Sequence, residues 1–242
     1  MNDLARFCRA VLACAALFLT GCATAQNHDD LPNNDPLEPF NRAMYRFNDT
    51  LDRAVLKPVA KGYVAVTPDF VRSRISNFFS NLGDLAVFAN DLLQGKLEQG
   101  SQDGVRFLMN TSMGLLGFFD VATGAGLPHH REDFGQTLAV WGWDNSTYLV
   151  LPLLGPSTLR DSMGLVGDYP FTFYAYLNTT YTKEAEIFAF QTVQTRSNLL
   201  AATNVLETAA LDPYAFMRDA YLQQRRNLIY DGHPPPLPDY DQ

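Results

Sequence analysis

The sequence predicts an all-α protein on three observations. Apolar residues recur at three- and four-residue spacing over several long stretches, as in Leu37, Phe40, Met44, Phe47 and Leu51. An acid or threonine followed by proline marks helix starts at Asp35-Pro36, Thr67-Pro68 and Asp212-Pro213. Strict apolar–polar alternation of the kind a half-buried strand needs is scarce.

The chain of 242 residues opens with a secretory leader. Arg6 and Arg9 supply its positive region, Ala10 to Leu19 its apolar region, and Leu19-Thr20-Gly21-Cys22 a lipobox. Cleavage then removes 1–21, and Cys22 becomes an acylated N-terminus carrying palmitate-type chains. Two or three such chains anchor a protein stably, whereas one does not. Ala23 in place of an aspartate favours sorting to the outer membrane. Cys8 and Cys14 leave with the leader and Cys22 is consumed by lipid, so no thiol remains for a disulfide or a thiolate metal site. Residues 22–34 are polar and aperiodic, and read as a tether.

Residues 35–232 read as one helical domain. Asp35 suits an N-cap, Pro36 the first helical position and Glu38 the third. The polar face of that helix carries Arg42, Arg46, Arg53, Lys57 and Lys61, either merely solvated or facing lipid phosphates. A second helix follows Thr67-Pro68-Asp69, with Val71, Ile75, Phe78, Leu82, Leu85, Ala89 and Leu92 in register and a stop near Gly95. The next helix runs into the greasiest stretch of the chain, Val105 to Leu127. Thirteen residues from Phe107 to Phe119 carry no charge. About 20 apolar residues are needed to span a bilayer, so this run is too short to cross one. Its glycines Gly114, Gly117, Gly124 and Gly126, with Phe118 beside them and Asp120 near the turn, read as a short apolar hairpin able to flex. A buried helix pair is the alternative.

Beyond a turn-rich connection (residues 124–133), Leu151-Pro152 to Gly155-Pro156 is extended or turned, and Ser157 or Thr158 caps a short helix through Leu165. Arg160-Asp161 reads either as a buried pair holding that turn or as a polar contact in a passage. Pro170 to Leu177 is strand or interfacial helix. Thr182 to Leu211 is a long helical stretch, continuous or broken once, its apolar side including Ile187, Phe190, Val193, Leu200 and Leu206; Asp212-Pro213 starts a last helix ending at Gly232. Residues 233–242 form a proline-rich, disordered tail. Trp141, Trp143, Tyr148, Phe171, Phe173, Tyr174 and Tyr176 suit an interfacial aromatic belt.

The net charge of −8 argues against nucleic acid, which needs clustered Lys and Arg. No G-x-S-x-G elbow, H-E-x-x-H or P-loop is present, so catalysis is not expected. His129-His130 with Glu132 and Asp133 is a weak metal pattern, because loop neighbours point apart; no metal and no other cofactor is expected.

One set of motifs is specific. Asp35-Pro36-Leu37-Glu38 with Phe40-Asn41-Arg42 and Met44-Tyr45, then Phe134-Gly135-Gln136-Thr137-Leu138, Leu151-Pro152 through Gly155-Pro156-Ser157-Thr158-Leu159-Arg160-Asp161, and Asp212-Pro213-Tyr214, resembles the MlaA (VacJ) lipoproteins. The resemblance implies a ring-like helical domain in the inner leaflet of the outer membrane, lipid-anchored on the periplasmic side. It implies an amphipathic pore, with Phe47, Asn48 and the hairpin glycines as candidate pore or hinge residues. It also implies phospholipid as transported ligand, a trimeric porin and a soluble periplasmic lipid carrier as partners, and a role in outer-membrane lipid asymmetry. A porin scaffold without transport is the alternative, with a lipid hydrolase behind it.

Overall fold

A computed structural model describes residues 35–176, 180–203 and 211–236. The leader, Cys22, the tether, Leu206 and the end of the tail lie outside the described residues. The chain is mainly helical, as the periodicity predicts, with one short antiparallel hairpin added.

Helix α1 (Glu38–Leu51) passes into a π turn at Asp52–Leu56 and then α2 (Lys57–Val66). The π turn lies just before Pro58, which has no N–H to give the carbonyl four residues back, so the widened turn absorbs the mismatch. Thr67 is extended, as a residue before proline should be, and ends α2. It does not cap α3 (Asp69–Gln94), whose start has no side-chain cap. Gly95 at φ +79° closes α3, and α4 (Leu97–Ser112) folds back along it. A turn over 113–119 leads to α5 (Val121–Gly124), capped by Asp120, and then to α6 (Phe134–Val140), capped by Asp133.

Strands β1 (Tyr148–Leu151) and β2 (Gly155–Thr158) pair antiparallel, Tyr148 opposite Thr158 and Leu151 opposite Gly155. Thr158, not Ser157, caps α7 (Leu159–Asp168). Residues 170–176, read as strand or helix, form two 3₁₀ turns instead. Helix α8 (Tyr181–Asn198) packs on α2 and α3, and α9 (Pro213–Ile229) starts at the Asp212 cap as expected. Among the described residues no helix is long and apolar enough to cross a membrane.

Burial runs opposite to that of a water-soluble protein. Among the described residues few hydrophobic side chains are fully enclosed; Tyr148, Val150 and Tyr214 cluster together, flanked by Met44, Tyr45 and Met217. Buried polar side chains are far more numerous, and large hydrophobics stand exposed throughout. The first-helix stripe shows the inversion. Leu37, Phe47 and Leu51 are exposed while Asn41 is completely enclosed. The helix period was legible, but the inside face is the polar one.

Candidate functional site

Three arrangements carry the buried polarity. The first is the seat of the apolar hairpin. Arg106 on α4, almost fully buried, donates to Asp120 Oδ2 at 2.9 Å, to Thr123 Oγ1 at 2.9 Å and to the Leu127 carbonyl at 2.8 Å. Its Nε lies 3.5 Å from the Asp84 carboxylate on α3. Asn110, one turn further along α4, accepts from the N–H groups of Val121 and Ala122 at 2.9 and 3.0 Å. Two α4 side chains thereby hold the returning arm. Burial tends to raise the Asp120 carboxyl, but its bonds from Thr123 and Arg106 outweigh that and bring it down to about 2. Asp84 goes the other way: burial lifts it to about 7 despite Arg106.

The hairpin tip is strained. Leu115 and Leu116 sit at φ +52° and +60°, left-handed backbone that leucine disfavours, and both side chains are exposed. Gly117 at φ +91° follows, and a Cβ there would lie 2.6 Å from the Asn81 side chain. Phe118 stacks on Phe78 of α3 with centroids 5.1 Å apart, and the Arg74 guanidinium lies 4.5 Å over Phe119. Behind this seat the α3–α4 seam holds more acid than base. Asp91 is enclosed with neither oxygen hydrogen-bonded, and burial and the adjacent Asp103 carboxyl push it up. Lys96 spans Glu132 at 3.1 Å and Asp231 at 2.6 Å. His129 faces Asp84 at 3.3 Å and His130 faces Asp103 at 2.8 Å, so the adjacent histidines point to different carboxylates.

The second arrangement ties α6, α7 and α9 together. Arg225 bridges Asp133 at 2.5 Å and Asp161 at 2.8 Å, Tyr221 donates to Asp161 at 2.7 Å, and Arg160 lies 3.1 Å from the same carboxylate. Burial works against Asp133 ionising, and Arg225 overcomes it, holding the carboxyl below its ordinary value. Helices α6 and α7 come so close that a Cβ on Gly164 would lie 2.5 Å from the Gly135 nitrogen.

The third joins α1 to the β-hairpin. Asn41 accepts from Val150 N–H at 2.8 Å and donates to the Tyr148 carbonyl at 3.1 Å; Asn48, two turns on, does the same for Leu153 at 2.8 Å and Leu151 at 2.9 Å. Two side-chain amides thus stand in for a neighbouring strand along β1. Outside these polar sites, α3 and α8 enclose an apolar groove of about 760 Å³.

A polar interior braced by these residues, with apolar side chains outside, is the setting in which the similarities of the chain make sense. The family model described as MlaA lipoprotein matches residues 33–228. The chain belongs to the MlaA lipoprotein family. The Shigella flexneri intermembrane phospholipid transport system lipoprotein MlaA is 36% identical over 225 residues, covering 91% of this chain and 88% of the relative. Its Haemophilus influenzae counterpart is 34% identical over 224 residues, 90% and 88% covered. A solved structure described as the structural basis for maintenance of bacterial outer membrane lipid asymmetry superposes with a TM-score of 0.72 at 36% identity, over 81% of this chain and 98% of that one.

The motif residues of this MlaA-family chain divide by role. Asp35 is not the N-cap expected: Leu37 precedes α1, and Pro36 lies in a turn before the helix. The Asp35 carboxylate is instead enclosed, accepting from Asn41 at 2.7 Å and from the Tyr214 hydroxyl. Arg42 does not stand on a free basic face. It binds Glu38 at 2.7 Å and Asp212 at 2.8 Å and lies 4.4 Å over the Tyr214 ring. Phe40 is half-buried on α1. Arg160 and Asp161 fall in the α6–α7–α9 brace. Of the passage candidates, Phe47 is exposed, Asn48 is engaged with β1, and Gly114, Gly117, Phe118 and Asp120 meet in the hairpin turn. Gly124 ends α5 and Gly126, at φ +86°, follows it. Tyr148, read as a belt residue, is wholly buried, whereas Trp141, Trp143 and Tyr176 are exposed. Sequence reasoning missed Arg106, Asn110 and Arg225. An isolated arginine or asparagine within a helix gives no signal of the partners it will meet.

Proposed function

We propose that the protein is an outer-membrane lipoprotein that removes phospholipid misplaced in the outer leaflet and passes it to a soluble periplasmic carrier. The inverted burial supports this reading most directly. Exposed Phe47, Phe70, Leu108, Leu115 and Leu116 are costly in water and favourable against acyl chains, at about 25 cal/mol per Å² of apolar surface covered. Most of the enclosed side chains, Asn41, Arg106, Asn110 and Arg160 among them, are polar. A lipid crossing a leaflet needs that distribution, since its headgroup requires polar surroundings while the surface around it stays greasy. The uncharged run from Phe107 to Phe119 ends α4 and forms the turn over 113–119, whose exposed Met113, Leu115 and Leu116 suit shallow contact with one leaflet of a core about 30 Å thick.

No nucleotide motif is present, so lipid moves downhill or through coupling to a partner. Seating beside a trimeric porin would hold the exposed side chains at the right depth, and the Cys22 lipid would fix the periplasmic side. The purified lipoprotein, reconstituted in vesicles with the carrier, should transfer labelled phospholipid, and a strain lacking the gene should accumulate surface phospholipid and lose resistance to detergent with chelator. Unaltered surface lipid and barrier in that strain would replace transport with the scaffold reading.

A further inference from the structure

The α3 face turned away from α4 is lined by Phe78, Phe79, Leu82 and Leu85, and Ile187 and Phe190 of α8 form the opposite wall of the 760 Å³ groove. Phe79 packs against Phe190 at 6.1 Å between centroids and against Phe173 at 6.4 Å, giving the groove an aromatic floor. Among the described residues the one charged side chain on its lining is Glu186, exposed on α8. We propose that this groove seats one acyl chain of a phospholipid whose headgroup carries an ammonium, with Glu186 at the mouth drawing that cation.

The proposal deepens the transport reading and rests on it. The volume falls within the roughly 300–1,000 Å³ range of small-molecule sites. Walls of carbon leave water without the two to four polar partners it needs, so a hydrocarbon chain displaces it favourably. The charge at the mouth sets the headgroup. Glu184 and Glu186 outnumber Lys183 on that stretch of α8, which repels an anionic glycerol headgroup and attracts an ethanolamine one. The groove also touches the hairpin, because Phe78 belongs to its wall and stacks on Phe118. An occupant therefore presses on the same ring that supports the hairpin tip.

The full-length lipoprotein is reconstituted in vesicles of equal phosphatidylethanolamine and phosphatidylglycerol, with a photoreactive amino acid at Ile187 or, as control, at the exposed Val166 on α7. Adducts are identified by mass spectrometry. The Ile187 probe should capture phosphatidylethanolamine at least threefold over phosphatidylglycerol, while the Val166 probe returns the vesicle ratio. Glu186→Gln, an exposed substitution that leaves the fold alone, should return the Ile187 ratio to that of the vesicle. Native mass spectrometry of wild type and Glu186→Gln should show the same loss of bias without any probe. An unbiased Ile187 adduct, an adduct to the chain's own N-terminal lipopeptide or to a second copy, or no adduct would overturn the groove assignment. Transfer to the carrier is measured on the same preparations. Transfer that persists without the adduct sinks the groove alone; a biased adduct without transfer sinks the transport reading alone.

Discussion

The α6–α7–α9 brace and the α3–α4 seam both bury charge, and they handle it in opposite ways. In the brace, Arg225 and Arg160 meet Asp133 and Asp161, so two cations face two carboxylates at hydrogen-bond distance. Asp133, half-buried, is held below its ordinary value by Arg225. In the seam, Arg106 faces Asp84, Lys96 faces Glu132 and His130 faces Asp103, while Asp91 accepts no hydrogen bond; both Asp84 and Asp91 are pushed up by burial. Opposite charge within a few ångströms offsets desolvation, whereas like charge adds to it. The brace is a fixed joint. The seam, which carries the strained hairpin, is only partly compensated.

Breaking the brace should produce the largest effect. Arg225→Met takes the cation from Asp133 and leaves Asp161 with Arg160 alone, and removing one partner of a buried pair costs about 3–5 kcal/mol. At roughly 2–4 °C per kcal/mol for a chain of this size, the melting temperature in detergent should fall by about 6–20 °C. A fall under about 2 °C would show that the brace does not hold α9 in place.

Arg106→Gln should come next, at about 2–4 kcal/mol, because Asp120 loses its cation and the Leu127 carbonyl a donor. The contrast with Arg225 lies in where the loss appears. Amide hydrogen exchange should speed across 113–127 while α6, α7 and α9 stay protected. Exchange rising evenly through the chain would erase the distinction between joint and seam.

Asp91→Asn should act in the opposite direction. The folded carboxyl is raised above its unfolded value near 3.8, so the folded state binds the extra proton between them and stability falls as pH rises through that window. Asparagine cannot ionise. The variant should gain about 1–2 kcal/mol over wild type at pH 8 and nothing below pH 4, read from denaturation at both values. A loss at pH 8 would mean that ionised Asp91 has a compensating partner.

The two regions also differ in how far they could be read from sequence. Helix starts at Asp212-Pro213 and the Gly95 stop were legible because caps and glycines act locally, within one turn. The side on which each helix turns inward was not. Periodicity marks the apolar face of α1, but only the solvent decides whether that face is inside, and Phe47 lies out while Asn41 lies in. Asp35 and Arg42 look like cap and surface charge until Tyr214, far along the chain, closes over both. Arg106 and Arg225 depend on partners brought by other helices, so spacing could not show them. The hairpin was legible as greasy and glycine-rich. Its strain was not, since Leu115 and Leu116 occupy backbone that sequence assigns to glycine.

That strain gives the smallest and most discriminating test. A non-glycine residue in left-handed backbone costs about 1 kcal/mol, and glycine at the same place removes the cost at the expense of a more flexible unfolded chain. The Leu116 side chain is exposed, so its deletion loses little packing in detergent-free water and more against lipid. Leu116→Gly should therefore change stability by no more than about 0.5–1 kcal/mol, upward, in the same detergent melt used for Arg225→Met. Two leucines held in an unfavourable conformation at a tip are better explained by what they touch than by the fold they serve. If they insert among acyl chains, Leu116→Gly should lower vesicle-to-carrier lipid transfer severalfold while the protein becomes no less stable. Gly62→Ala, on α2 where a Cβ meets nothing within 4 Å, is the control that should leave transfer unaltered. Transfer unchanged in Leu116→Gly, or a loss of stability with it, would make the tip an ordinary turn and remove the last difference in purpose between the seam and the brace.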